Sequence, residues 1–237
     1  MKKILLQSGH QNATNGQTGA PEEQANNIRI RNRLSQILIS KGFQLFLADA
    51  NFSSKEHFDL ALALHCDSDY PGNEGGGFVA CADPSVDNVW NESKRIEASI
   101  ASEYFKHSGI REVDSRENAN TLYYYWWYNL SLDTPCVLIE MGESIDPHDK
   151  VLLADTDRIA NAIARGVCKA FNVSFDQTVP PEIPDWKKKY EDEVNAHTNT
   201  KEVFKKYKED AALDKENAVK DALKKLNDRI DVAQGVA

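Results

Sequence analysis

The chain has 237 residues and a mass of 26.6 kDa, room for one full domain with a small appendage or for two small domains. Hydrophobic residues make up 41% and mean hydropathy is -0.55, the balance of a soluble chain; its longest apolar runs, such as 60–64 and 136–139, are far too short to cross a bilayer of ~30 Å. The formal charge of -9 and a pI near 5.2 argue against nucleic acid as a partner, because phosphate binding needs clustered Lys and Arg.

The start, Met1-Lys2-Lys3 followed by Ile4-Leu5-Leu6, carries the charge of an export segment. Its apolar run stops at Gln7, short of the ~7–15 residues such a segment needs, so synthesis without a signal peptide and residence in the cytoplasm are expected. Residues 3–7 read as a short buried strand. Pro21 and the acidic pair after it open a helix to about Ser40, with Ile28, Ile30, Leu34, Ile37 and Leu38 on its apolar side and Gly42 as its stop. Residues 43–48, 58–65 and 77–81 read as strands. A helix is expected over 91–107 with Ile96, Ile100, Tyr104 and Phe105 on one side, then a strand over 135–141 and an amphipathic helix over 155–171. Strands alternating with helices, mostly without hairpin signals, predict an α/β fold: a layered, mostly parallel sheet with flanking helices. Cys66, Cys81, Cys136 and Cys168 are scattered without a CxxC pair and read as reduced small hydrophobes.

Composition changes near residue 179. Pro180, Pro181 and Pro184 forbid regular helix, and from Trp186 onward the chain is dense in Lys, Glu, Asp and Ala with no glycine until Gly235. The expected division is one domain over 1–175, a Pro-rich linker over 176–185 and a small α-helical C-terminal module over 186–237. In that module Val219, Leu223, Leu226, Ile230 and Ala233 form an a/d seam, which points to a homo-oligomer through the C-terminal helices or to packing on a partner.

Polar, metal-capable groups cluster at the predicted strand ends. His10 follows the first strand, His65 ends the run 59–64, and Glu140 sits near the end of 135–139, where sites gather in α/β sheets. Glu22 and Glu23 add carboxylates at the first turn of the first helix, where its dipole favours them. Two histidines and a carboxylate with an open fourth position form a recurrent hydrolytic zinc site, and a further carboxylate can relay protons. A structural histidine or a capping glutamate is the plainer reading of each residue alone. The aromatic run 121–128 packs rings against the sheet or lines a cleft, and Asp146-Pro147-His148-Asp149 needs no role beyond a turn and helix start.

Taken in order, Ile4-Leu5-Leu6-Gln7-Ser8-Gly9-His10, the helix-opening acid in Gly19-Ala20-Pro21-Glu22-Glu23, Leu62-Ala63-Leu64-His65-Cys66-Asp67, the turn Gly75-Gly76-Gly77 and Pro135-Cys136-Val137-Leu138-Ile139-Glu140-Met141-Gly142 resemble the zinc-dependent N-acetylmuramoyl-L-alanine amidases of the amidase-3 type. The resemblance covers residues 2–172 and implies one zinc ion per chain held by His10, Glu23 and His65, with Glu140 as the catalytic glutamate. Glu23 is preferred to Glu22 because Asn27 and the apolar register of the helix then fall in place. Gln11, Asn12, Asp67 and Asn118 are the candidate substrate-binding residues; Asp67 stands where the family usually has Asn, and Gly142-Glu143 where it has Gly-Phe.

The implied function is hydrolysis of the amide between N-acetylmuramic acid and L-alanine of peptidoglycan. The domain plan resembles a phage or prophage endolysin, released to the wall through a holin-dependent membrane hole or on host lysis, and a sporulation amidase fits the same plan. The alternatives are a zinc peptidase acting on stem peptides and a non-catalytic wall-binding protein.

Overall fold

The computed structural model describes residues 1–14, 19–67, 75–113 and 122–176. The linker beyond residue 176, the expected helical module over 186–237 and Asn118 lie outside the described residues. In chain order the elements are β1 (Lys3–Ser8), α1 (Glu23–Ser40), β2 (Gln44–Ala48), β3 (Leu60–Asp67), β4 (Phe78–Cys81), α2 (Trp90–Ser108), a 3-10 helix (Tyr125–Asn129), β5 (Cys136–Glu143), α3 (Pro147–Ala154) and α4 (Thr156–Ala170).

The strands form one sheet in the order β2-β1-β3-β5-β4. The β2-β1-β3-β5 part is parallel, and β4 runs antiparallel to β5 at the edge. The connection from β3 to β4 spans only residues 68–77. A parallel return would need a longer crossover, so β4 starts at the end where β3 stops and runs back.

Side-chain size is sorted across the two faces of the sheet. Along β3, Leu60, Leu62 and Leu64 point to one face, where Ile4 and Leu6 of β1 and Val137 and Ile139 of β5 join them. That face packs on Ile30, Leu34 and Leu38 of α1, Ile96, Ile100 and Tyr104 of α2, and Ile159, Ile163 and Val167 of α4. Ala61, Ala63 and Ala80 point to the other face, beneath Tyr124, Trp126, Trp127 and Leu130. The small residues make room for indole rings that are themselves fully buried, which keeps the layer at interior packing density. The Leu-Ala alternation of β3 therefore encodes two covers, one of helices and one of aromatic rings.

The helix ends follow ordinary chemistry. Asp146 caps α3, accepting from the backbone N–H groups of His148 and Asp149 with Pro147 in the first turn, and Asp155 caps α4 by accepting from Arg158 N. Ile28 is half-buried, at the margin of the α1 stripe. No helix among the described residues is long and apolar enough to cross a membrane.

The packing of α4 on α2 depends on Gly166, where a Cβ would lie 2.5 Å from Ile100 Cα and 3.1 Å from its carbonyl oxygen. Helix propensity alone favours Gly→Ala by ~1 kcal/mol. A clash with backbone reverses that sign, because the whole helix must shift. Gly166→Ala is expected to destabilise the domain by about 1–3 kcal/mol in urea unfolding, and a stabilised variant would contradict the close helix contact.

Candidate metal centre

Strand register assembles the site. Ser8, the last residue of β1, pairs with Leu64, and Gly9 N–H continues the ladder by donating to Leu64 O at 2.9 Å. His65 and Glu140 are direct register partners on β3 and β5. They prolong the rows Ala61-Ala63 and Cys136-Leu138 of the aromatic face, so both side chains emerge at the carboxyl end of the sheet. Glu23, the first residue of α1, comes from the opposite layer to the same end.

The backbone is bent sharply to bring His10 and Glu23 in. His10 has φ 61° and Glu22 has φ 67°, both in the left-handed region that non-glycine residues avoid. Gln24 Nε2 donates to His10 O at 2.7 Å, and Asn27 Nδ2 donates to Gly9 O at 3.3 Å, which ties the loop after β1 to the first turn of α1. Gly9 lies flat against His65: a Cβ there would sit 2.4–2.6 Å from three atoms of the imidazole.

Three of the expected residues converge. Glu23 Oε1 lies 3.2 Å from His10 Nε2 and 3.2 Å from His65 Nδ1, and the two imidazoles stand edge to face with centroids 5.0 Å apart. Glu23 Oε1 also accepts from Cys66 N at 3.2 Å, and Oε2 accepts from Ala20 N at 2.8 Å. Burial alone would raise the Glu23 carboxyl; hydrogen bonds and charge from His10 and His65 outweigh it and hold the group well below the usual carboxylate range. Glu22 is exposed and paired with Lys150 at 2.8 Å, away from the histidines.

A cavity of about 270 Å³ opens over this cluster, lined by His10, Gly19, Ala20, Glu23, His65, Cys66, Asp67 and Glu140. A second hollow shares Gly19 and Ala20 and runs over Pro21, Glu22 and Gln24, so the cavity continues as a groove across the start of α1. Glu140 Oε2 is buried without a hydrogen-bond partner. Burial first, and then the negative charges of Glu23 and Asp67, push the Glu140 carboxyl well above its usual range. Cys66 turns its side chain to the helix face, where burial raises the thiol; only its backbone N–H serves the site.

The donor set fits a zinc ion. His10, Glu23 and His65 each offer one atom, all within 4.8 Å of one another. Ligand bonds of ~2.0–2.1 Å in tetrahedral array place donor atoms about 3.3 Å apart, close to the two 3.2 Å separations found here. A second group, Asp146, His148 and Asp149, is used differently. Asp146 caps α3, and Asp149 Oδ2 accepts from Gly76 N at 2.6 Å and Glu143 N at 3.0 Å, clamping the glycine turn to the end of β5.

The expected substrate residues divide. Asp67 lines the cavity. Gln11 accepts from the guanidinium of the buried Arg31 at 2.7 Å, and Asn12 donates to Asp49 at 3.1 Å, so both side chains brace the loop toward the end of β2. Sequence reasoning missed Tyr124 and Gln7 behind His65. Gln7 left one signal, a polar residue closing the apolar run of β1.

Gly9→Ala is expected to preserve the fold but displace the His65 ring, lowering zinc affinity by about 10–100-fold in competition with a chromophoric chelator. Unchanged affinity would contradict the contact described.

Comparison with known proteins agrees with this architecture. The sequence profile described as N-acetylmuramoyl-L-alanine amidase (Amidase_3) matches residues 4–170. No curated protein matches the sequence. Among solved structures, the chain is similar to an N-acetylmuramoyl-L-alanine amidase from Clostridium difficile 630, with 18% identity over 72% of this chain and 97% of that one and a TM-score of 0.56. It is similar to the CwlD amidase of Clostridioides difficile, solved in complex with the GerS lipoprotein, with 21% identity over 73% and 100% of the chains and a TM-score of 0.54. The catalytic domain of CD27L, an endolysin targeting Clostridia difficile, aligns with 17% identity over 70% and 97% of the chains and a TM-score of 0.50. At these identities the likeness is one of fold, and with a profile match across most of the chain it leads to one conclusion: the chain belongs to the N-acetylmuramoyl-L-alanine amidase family of the amidase-3 type.

Proposed function

We propose that the chain is a zinc-dependent peptidoglycan amidase that cleaves the bond between N-acetylmuramic acid and L-alanine, with His10, Glu23 and His65 as metal ligands and Glu140 as the catalytic acid-base. The observation that carries this reading is that Glu140, whose Oε2 is buried without a hydrogen-bond partner, lines the cavity that the two histidines and Glu23 share. Zinc bound by the three ligands supplies Lewis-acid polarisation of the scissile carbonyl and makes water acidic enough to attack near neutral pH.

The protein groups do the remaining work. Glu140 accepts a proton from the attacking water as its oxygen bonds to the carbonyl carbon. It returns that proton to the alanine nitrogen as the carbon–nitrogen bond breaks, leaving a free amine and a carboxylic acid. Its raised proton affinity, set first by burial and then by the charges of Glu23 and Asp67, suits this relay. Asp67 at the cavity wall and the groove over Pro21 and Gln24 are the surfaces offered to the sugar and stem peptide.

The wider role we propose is that of a phage or prophage endolysin. Its support is the change of composition at 179–186, which sets a catalytic domain ahead of a Lys/Glu/Ala-rich C-terminal module suited to oligomerisation or wall targeting.

Purified Gram-positive sacculi incubated with the full chain should gain free amino termini on alanine without new reducing ends. Glu140→Gln should lower the rate by about 10²–10⁴-fold while retaining zinc, and chelation should abolish activity that zinc restores. New amino termini within the stem peptide would favour a peptidase instead. Zinc binding with no cleavage of any sacculus would favour a wall-binding protein.

A further inference from the structure

We propose that Tyr124, held in turn by Gln7, is a positioning residue that fixes the proton of the His65 imidazole on Nε2 and so presents a bare Nδ1 to the metal. The inference rests on the zinc reading of the site and extends it to groups behind the ligands.

The chain of contacts is short and buried. His65 Nε2 lies 3.0 Å from the Tyr124 hydroxyl, which lies 3.2 Å from Gln7 Oε1. Gln7 is 0% exposed, His65 5% and Tyr124 9%, so water does not compete for these bonds. A carbonyl oxygen can only accept, so the single phenolic proton goes to Gln7. The phenol then turns a lone pair to His65, and the geometry is satisfied when Nε2 carries hydrogen. His65 Nδ1 lies 3.2 Å from Glu23 Oε1, a separation that a proton or a cation must bridge; with zinc in that place a neutral imidazole would keep its one N–H on Nε2 and leave Nδ1 as the lone-pair donor.

Two further observations show that the arrangement is held in place. The Tyr124 ring meets His65, Tyr125 and Trp127 edge-on, with centroids 5.2, 4.7 and 5.3 Å away, so it is fixed on three sides. Gln7 sits in the row Ile4-Leu5-Leu6 and leaves its Nε2 buried without a hydrogen-bond partner. An apolar side chain would fill that position without the desolvation cost, so packing alone does not account for a glutamine there.

The test compares zinc affinity in the full chain, by chelator competition, with 1H–15N NMR of the histidine rings in the zinc-loaded protein. The wild type should bind one zinc and show a slowly exchanging His65 Nε2–H. Tyr124→Phe keeps the ring and should lower affinity about 10–100-fold and speed exchange of that proton. Gln7→Leu should weaken binding in the same direction, and the double variant should lose no more than Tyr124→Phe alone, as members of one chain do. Tyr104→Phe is the control. It removes another buried hydroxyl, bonded to Met141 O at 2.5 Å, and should lower thermal stability without changing zinc affinity.

Wild-type zinc binding matched by Tyr124→Phe would overturn the proposal while leaving the zinc reading intact. Losses that multiply in the double variant would overturn the linkage through Gln7. A wild type that binds no zinc would overturn both the zinc reading and this extension of it.

Discussion

Glu23 is a carboxylate only 4% exposed, with two imidazole nitrogens each 3.2 Å from one oxygen and a backbone N–H on each of its two oxygens. Leaving such a charge unpaired inside the protein would cost several kcal/mol, so its surroundings must supply positive charge or donors at fixed positions. Meeting that demand shapes the open end of the sheet. The loop after β1 passes through a left-handed His10, the turn before α1 through a left-handed Glu22, and Gly9 lets the β1 backbone lie against the His65 ring. The divalent cation proposed for this cluster would serve the carboxylate and both ring nitrogens at once.

The sheet beneath is built to hold that end still. Parallel register between β3 and β5 sets His65 beside Glu140, and the Leu-Ala sorting of β3 determines which layer meets each side chain. Because His65 follows Ala61 and Ala63 on the aromatic face, the group behind it is a tyrosine rather than a helix. Glu140 emerges on that same face and lines one cavity with His10, Glu23 and His65. Packing and chemistry are thus joined through alternation along two strands.

Much of this was legible in the sequence, for identifiable reasons. The α1 and α4 stripes, and the strands ending near His10, His65 and Glu140, follow from periodicity and from where apolar runs stop. The antiparallel direction of β4 and the extension of β5 to Glu143 did not, because both depend on pairing partners distant in the chain. The aromatic run left open whether its rings served core or cleft. In three dimensions Trp126 and Trp127 cover alanines while Tyr124 reaches His65, a division that rests on a 3-10 helix with no pattern of its own. Gln11 and Asn12 read as substrate-facing because polar loop residues beside a histidine invite that reading. The buried Arg31 and Asp49 turn them toward the scaffold, and nothing in local composition announces such long-range partners.

His10 and His65 at strand ends and Glu23 at the start of α1 converge on one proposed metal position, which Glu140 borders. Anomalous diffraction at the zinc edge from crystals of the zinc-loaded protein tests it most directly. One peak is expected about 2.0–2.1 Å from His10 Nε2, Glu23 Oε1 and His65 Nδ1, with Glu140 outside the coordination sphere. A zinc-loaded crystal whose only peak lies elsewhere, or whose peak takes Glu140 in place of Glu23, would contradict it.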